Sequence, residues 1–246
     1  MRNLDSKIHS IAEVLNLLSS QRKVGRICWF RGQSKSKWKL VPSLARNPAH
    51  LNAENALLKR FMQDAVPHIS RGPSSEWEWM FLMQHHRAPT RLLDWSESPL
   101  AALYFAVTSQ PKAEGAVWCL DPVALNTEAN LKFSFEGEIP AFGRDDVTGS
   151  YLPSRVHEGS AVLNPIAIVG PRNTARMAAQ LGTFTINHRQ HLPIESIGAT
   201  KHVWRWLIPS SSKLRIQKEL KLLGVNVLTM FPELDRVAEV SREILP

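Results

Sequence analysis

The chain has 246 residues, enough for one sizeable core, and a formal charge of +8 from 30 Lys+Arg against 22 Asp+Glu. Hydrophobic residues make up 43% and charged residues 21%, which excludes a disordered chain, and no apolar run approaches the ~20 residues of a membrane span, so no membrane partner is expected. The charge excess favours a polyanion, but Lys and Arg are scattered, so charge alone does not choose between DNA, RNA and a dinucleotide.

Residues 1–5 carry neither an apolar stretch nor a small-residue cleavage site, so a cytoplasmic location is expected. Ile8, Ile11, Val14, Leu15 and Leu18 recur at helical spacing and predict a first helix. Residues 24–31 are apolar on both alternating faces, Ile27 and Trp29 against Cys28 and Phe30, the pattern of a central buried strand. Cys28 and Cys119 both sit in apolar, strand-like segments and read as reduced core residues. A helix over 52–66 is ended by Pro67. Ser75, with Glu78 three residues on, has capping-box spacing and opens a helix that Pro89 stops near His86, because proline disfavours helical geometry at Ala88.

Residues 84–95 then read as a polar turn. Ser98-Pro99 supplies an N-cap and first helical residue for an apolar helix over 100–107. This arrangement predicts Arg91 and Asp94 just ahead of a helix N-terminus, where free N–H groups favour an anion. A strand follows at 115–120, then residues 122–160, rich in Gly, Pro, Asn and Ser, as a loop-rich insertion. The last third reads as a strand at 166–169, a helix at 174–181 and strands at 183–187 and 202–208. A helix at 213–223 is closed by Gly224, a short strand spans 225–231, and a final helix follows Pro232. Helices and strands intermix without a βαβ rhythm. The fold expected is α+β, a single domain over 1–246 with its core at about 24–240, built on a mixed or antiparallel sheet flanked by helices, with a helical N-terminal portion.

Four places carry candidate chemistry. Arg31 ends a strand beside Gly32 and Gln33; a guanidinium there either pairs with a core carboxylate or grips a pyrophosphate or carboxylate, with Gly32 letting the ligand approach the backbone. Thr90-Arg91 and Asp94 either form an internal ion pair that pins the loop or orient Arg91 towards a ligand. His85 and His86 offer an acid or base, while adjacent histidines point apart on a helix and no carboxylate or cysteine completes a metal set, so no metal is expected. Arg176 and Gln180 share one helix face, either solvated or functional, and Glu219 in the late helix is a surface carboxylate or a catalytic acid. Of the eight tryptophans, Trp77/Trp79 and Trp204/Trp206 form close pairs that either fill the core or stack on bases. P-loop, GxGxxG, GxSxG and HExxH motifs are absent.

Phe30-Arg31-Gly32, the run from Gln84-His85 through Pro89-Thr90-Arg91-Leu92-Leu93-Asp94-Trp95 to Leu103-Tyr104-Phe105-Ala106, Arg176 to Gln180-Leu181-Gly182-Thr183-Phe184, and Phe231-Pro232-Glu233-Leu234-Asp235 together resemble the FRG domain family. Where that pattern often has glycine after the two histidines, this chain has Arg87-Ala88. The strand ending in Arg31-Gly32 is also similar to the first motif of ADP-ribosyltransferases, whose further motifs, a Ser/Thr strand and a catalytic Glu, have no secure counterpart here. That resemblance implies an NAD-consuming enzyme, a toxin or anti-phage effector with an antitoxin or other defence partner, acting on a nucleic acid or protein acceptor. It implies that Arg31 and Arg91 hold the pyrophosphate, with Gly32, Gln33 and Thr90 beside them, and that Asp94 orients Arg91. Glu219 would be the nearest acid, Gln180 would help place the acceptor, and NAD would be the substrate. Two other functions stay open: a nucleic-acid-binding module, and a metal-independent nuclease with His85 or His86 as general base.

Overall fold

The computed structural model describes residues 5–21, 27–129, 137–158, 160, 162–198 and 201–245. In chain order the elements are β1 (Ser6–Lys7), α1 (Ile11–Gln21), β2 (Trp29–Gln33), α2 (Pro48–Leu51), α3 (Glu54–Ala65), α4 (Glu76–His85), β3 (Leu92–Ser96), α5 (Pro99–Val107) and β4 (Gly115–Leu120). They continue with α6 (Pro122–Thr127), β5 (Ile166–Ile168), α7 (Ala175–Ala179), β6 (Gly182–Ile186), β7 (Val203–Ile208), α8 (Ser210–Leu222), α9 (Val227–Met230) and α10 (Leu234–Ser241). The seven strands form one mixed sheet in the order β1-β7-β4-β2-β3-β6-β5, antiparallel except for the parallel β1–β7 edge. The fold is α+β, as the sequence predicts.

Strand alternation sorts the core. Phe30, Val117, Cys119 and Trp206 pack under α1, α5 and α8, whereas Trp29, Trp95, Trp118 and Leu120 face Leu40, Ile194 and Ile197 on the other side. A third cluster joins Trp77, Met80 and Phe81 of α4 to β5, β6 and Tyr151. Among the described residues, no helix is long and apolar enough to cross a membrane. Both cysteines are free thiols.

Most expected elements are present, with the start of the strand expected at 24–31 (residues 24–26) and residues 130–136 of the expected insertion lying outside the described residues. Two expectations are corrected. Residues 92–96 are not a turn but the strand β3, paired along its whole length with β6 from Leu92–Ile186 to Ser96–Gly182. Five residues are too few to show a period, and pairing with a partner 90 positions away decides them. Residues 227–230 are a helical turn rather than a strand, because the Asn226 side chain accepts from the Leu228 and Thr229 backbone N–H groups while the Thr229 hydroxyl accepts from the Asn226 N–H. The two-residue β1 was not foreseen. Within the expected insertion, Tyr151 and Val156 are buried in the core.

The caps follow the sequence closely. Ser75 accepts from the Glu78 N–H and Ser98 from the Ala101 N–H, with Pro99 at the first helical position. Gly224, at φ +76°, ends α8 in left-handed geometry.

Gly32 has a structural reason beside the one its place next to Arg31 suggests. It faces α5, and a Cβ there would overlap the Ala102 carbonyl oxygen and come within 2.7 Å of the Ala106 backbone nitrogen. The missing side chain lets a helix approach the strand. Gly32→Ala is expected to lower stability by about 3 kcal/mol in urea unfolding, since a backbone clash is relieved only by moving α5.

Candidate functional site

The sheet has one weak seam. β2 pairs with β4 at five positions but with β3 at one, Phe30 with Ser96. Beyond that pair the ladder between β2 and β3 does not continue, and a side chain makes the link: Arg31 Nη1 donates to the Asp94 backbone carbonyl at 2.5 Å. A cleft of about 640 Å³ opens at this seam. Phe30, Arg31 and Gln33 of β2, Asp94 to Ser96 of β3, and Gln84 and His85 at the end of α4 contribute to its lining. Phe105 of α5, Arg176 and Gln180 of α7 and its C-cap, Phe184 of β6 and the loop residues Trp38, Lys39 and Arg46 add to it.

Three guanidinium groups share this space. Burial lowers the pKa of Arg31 below its ordinary value, opposed by the nearby charge of Asp94 and reinforced by Arg46. Its Nε–H is buried and has no hydrogen-bond partner. Arg176 lies over the Phe231 ring at 4.7 Å; its pKa too is lowered by burial, with Glu233 and Asp94 opposing and Arg87 and Arg236 adding to the effect. Asp94 is the one carboxylate among the described residues lining the cleft. Gln84 Nε2 donates to its Oδ2 at 2.7 Å, and the Gln84 carbonyl in turn accepts from the buried Thr90 hydroxyl, which fixes the amide orientation. His85 is partly buried, and burial, followed by His86 and Arg176, lowers its pKa below 6.5.

The structure therefore brings Arg31, Gly32, Gln33, His85, Asp94 and Gln180 to one cleft, and separates Arg91 and Glu219 from it. Arg91 is fully buried, its Nε 2.6 Å from Glu54 Oε2, Nη1 donating to the Asn187 carbonyl at 2.7 Å and Nη2 to that of Tyr151 at 2.5 Å. It cannot hold a pyrophosphate with Arg31, and its carboxylate is Glu54 rather than Asp94. The sequence hides this because Glu54 precedes Arg91 by 37 residues. Glu219 caps another helix: its Oε2 accepts from the Ile11 N–H at 2.7 Å and its Oε1 from Arg215 at 2.9 Å. Asp94 lies within a strand, not before a helix. Thr90 is buried and reaches the cleft only through Gln84. Gln33 accepts from Trp118 Nε1 at 2.8 Å and Gln180 donates to the Met230 carbonyl at 2.8 Å.

Trp77, Trp79, Trp204 and Trp206 are all buried, so these pairs fill the core. Arg46 and Trp38 carry no motif signal and are found only by folding. Arg87 sits at φ +63°, the left-handed seat of a helix end where Ala88 N–H bonds the Met83 carbonyl at 2.9 Å, a position that glycine takes without strain. Among the described residues no group of three or more His, Cys, Asp or Glu could hold a metal ion.

Fold and cleft define an α+β protein with a cationic, aromatic-walled pocket at a break in its sheet. Residues 26–115 match the family model of the FRG domain. The match takes in Arg31, Gln84, His85 and Asp94 but ends before Arg176 and Gln180. No curated protein and no solved structure matches the chain.

The Arg91 cluster generates two stability predictions. Arg91→Met should cost about 3–5 kcal/mol by leaving Glu54 buried alone, and adding Glu54→Leu should restore most of it in denaturant titrations. Burial and then the Arg91 charge push the neighbouring His188 down to about 4 from 6.5. As pH falls through that window, the unfolded chain binds a proton that the native state refuses. Stability should then drop by up to ~1.4 kcal/mol per pH unit, and His188→Gln should flatten the slope.

Proposed function

We propose that the cleft binds NAD and breaks its bond between nicotinamide and ribose, as an ADP-ribosyltransferase does. The observation that carries this reading is the convergence of Arg31, Arg46 and Arg176 with a single carboxylate, Asp94, inside one cleft walled by Phe30, Phe105 and Phe184. Guanidinium groups match a diphosphate in charge and in donor geometry, and Arg31 has an Nε–H still to place. The volume suits a dinucleotide held in part outside the walls.

In this reading Arg31 and Arg176 hold the phosphates and orient the ribose. Asp94, restrained by Gln84, lies across the positive charge that develops on the ribosyl ring as the C1′–nitrogen bond lengthens. Nicotinamide departs with the bonding pair. The nucleophile, water or a macromolecular acceptor group, forms the new bond at C1′ and gives up its proton. Asp94 takes the part that the sequence offers to Glu219, and Arg176 the part that it offers to Arg91.

A second reading rests on His85. Burial lowers its pKa, which favours the neutral imidazole, and it lines the same cleft, where it is suited to accept a proton in phosphodiester cleavage. RNA cleavage that survives a chelator and vanishes in His85→Ala would favour it.

Chromatographic detection of nicotinamide separates the two. The wild-type chain incubated with NAD, with and without cell-derived RNA, DNA and protein acceptors, should release nicotinamide. Asp94→Asn, which can still accept from Gln84 but carries no charge, should slow release ~100-fold, and Arg31→Ala at least as much. Absence of release with every acceptor overturns the proposal.

A further inference from the structure

Seven of the eight tryptophans are buried; Trp38 alone is half-exposed, at 48%, and it belongs to the lining of the cleft that also holds Arg31 and Arg46. A large aromatic ring left in water beside cations invites a function, because burying it would contribute to the core as the other seven do. Its exposure does not come from a loose loop. Ser36, two residues before it, is fixed through its N–H to the Glu114 carbonyl at 2.8 Å and its hydroxyl to the Glu114 carboxylate at 2.8 Å. The Ser36 carbonyl accepts from Arg205 Nη1 at 3.1 Å. On the other side, the Lys39 carbonyl accepts from Gln33 at 3.3 Å and the Leu40 N–H donates to Glu195 at 3.1 Å. The Lys35 ammonium lies 5.7 Å from the ring centroid. The chain on either side of the ring is thus tied to the sheet and to Glu195.

We propose that Trp38 is the stacking platform for the nucleobase of a nucleoside diphosphate, with the phosphates gripped by Arg31 and Arg176 and Arg46 adding positive charge to the same cleft. This rests on the reading of the cleft as a nucleotide site and adds to it the place of the base. A flat π-face in one cleft with guanidinium groups matches a ligand that joins a flat ring to an anion, which distinguishes a nucleotide from an apolar peptide side chain or a bare phosphate.

The test needs no turnover. Calorimetric titration of the full chain with ADP, and separately with inorganic pyrophosphate, compares ligands that share a diphosphate and differ in the nucleoside. ADP should bind about tenfold more tightly than pyrophosphate and alter tryptophan fluorescence. Trp38→Ala should erase that difference while leaving pyrophosphate affinity unchanged, and Trp38→Phe should keep most of it. Melting curves of both variants should match wild type, because the ring is surface-exposed. Equal binding of ADP and pyrophosphate by the wild type, or an advantage of ADP that persists in Trp38→Ala, overturns the platform and leaves the diphosphate site standing. Failure of both ligands to bind the wild type at millimolar concentration removes the nucleotide site and the platform together.

Discussion

The break in the ladder between β2 and β3 is the constraint on which the site depends. A continuous sheet would occupy its edge N–H and C=O groups with one another and leave no opening. Here Phe30 and Ser96 pair, the ladder stops, and Arg31 answers the Asp94 carbonyl with a guanidinium. α5 holds the seam from one side by pressing its backbone onto Gly32, and β6 holds β3 from the other through five paired positions. The cleft is therefore a property of the sheet itself, framed by rigid elements, and its charged groups need no loop closure to come together.

Three buried or half-buried cations show how the same problem has different solutions. Arg91 is spent on a carboxylate and two carbonyls. Lys213, 1% exposed, donates to the backbone carbonyls of Ser34 at 2.8 Å, Gln110 at 3.0 Å and Ser109 at 3.1 Å, using all three of its protons. Both therefore tie distant segments together and have nothing left for a ligand. Arg31 has one bond to a carbonyl and a buried Nε–H without a partner. The contrast in unspent donors, rather than the presence of arginine, is what singles out Arg31 as the candidate for binding a ligand.

The carboxylates divide in the same way. Glu54 neutralises Arg91 and Glu219 caps α1 from a helix remote in sequence, both doing structural work that a linear reading does not anticipate. Asp94 faces the cleft, restrained by Gln84 and by nothing cationic at salt-bridge distance among the described residues. Its neighbours Leu93 and Trp95 point into the core while it points away, which follows from the two-residue period of a strand.

Much of the architecture was legible because it is local. The caps at Ser75, Ser98 and Gly224, the helix end before Pro89, the apolar central strand around Trp29 and Phe30, and the α+β class all follow from short-range sterics, hydrogen bonding and hydrophobic period. Arg31, His85, Asp94 and Gln180 could be named from their types and settings. What only the tertiary structure decided are the pairings: that residues 92–96 are a strand, that Arg91 belongs to Glu54, that Glu219 caps α1, that Gly32 packs against α5, and that Arg46, Arg176 and Trp38 line one cleft with Arg31. Each is a contact between segments far apart in the chain, fixed by which groups must be buried together and neutralised. No local pattern encodes a partner whose identity depends on the closed sheet.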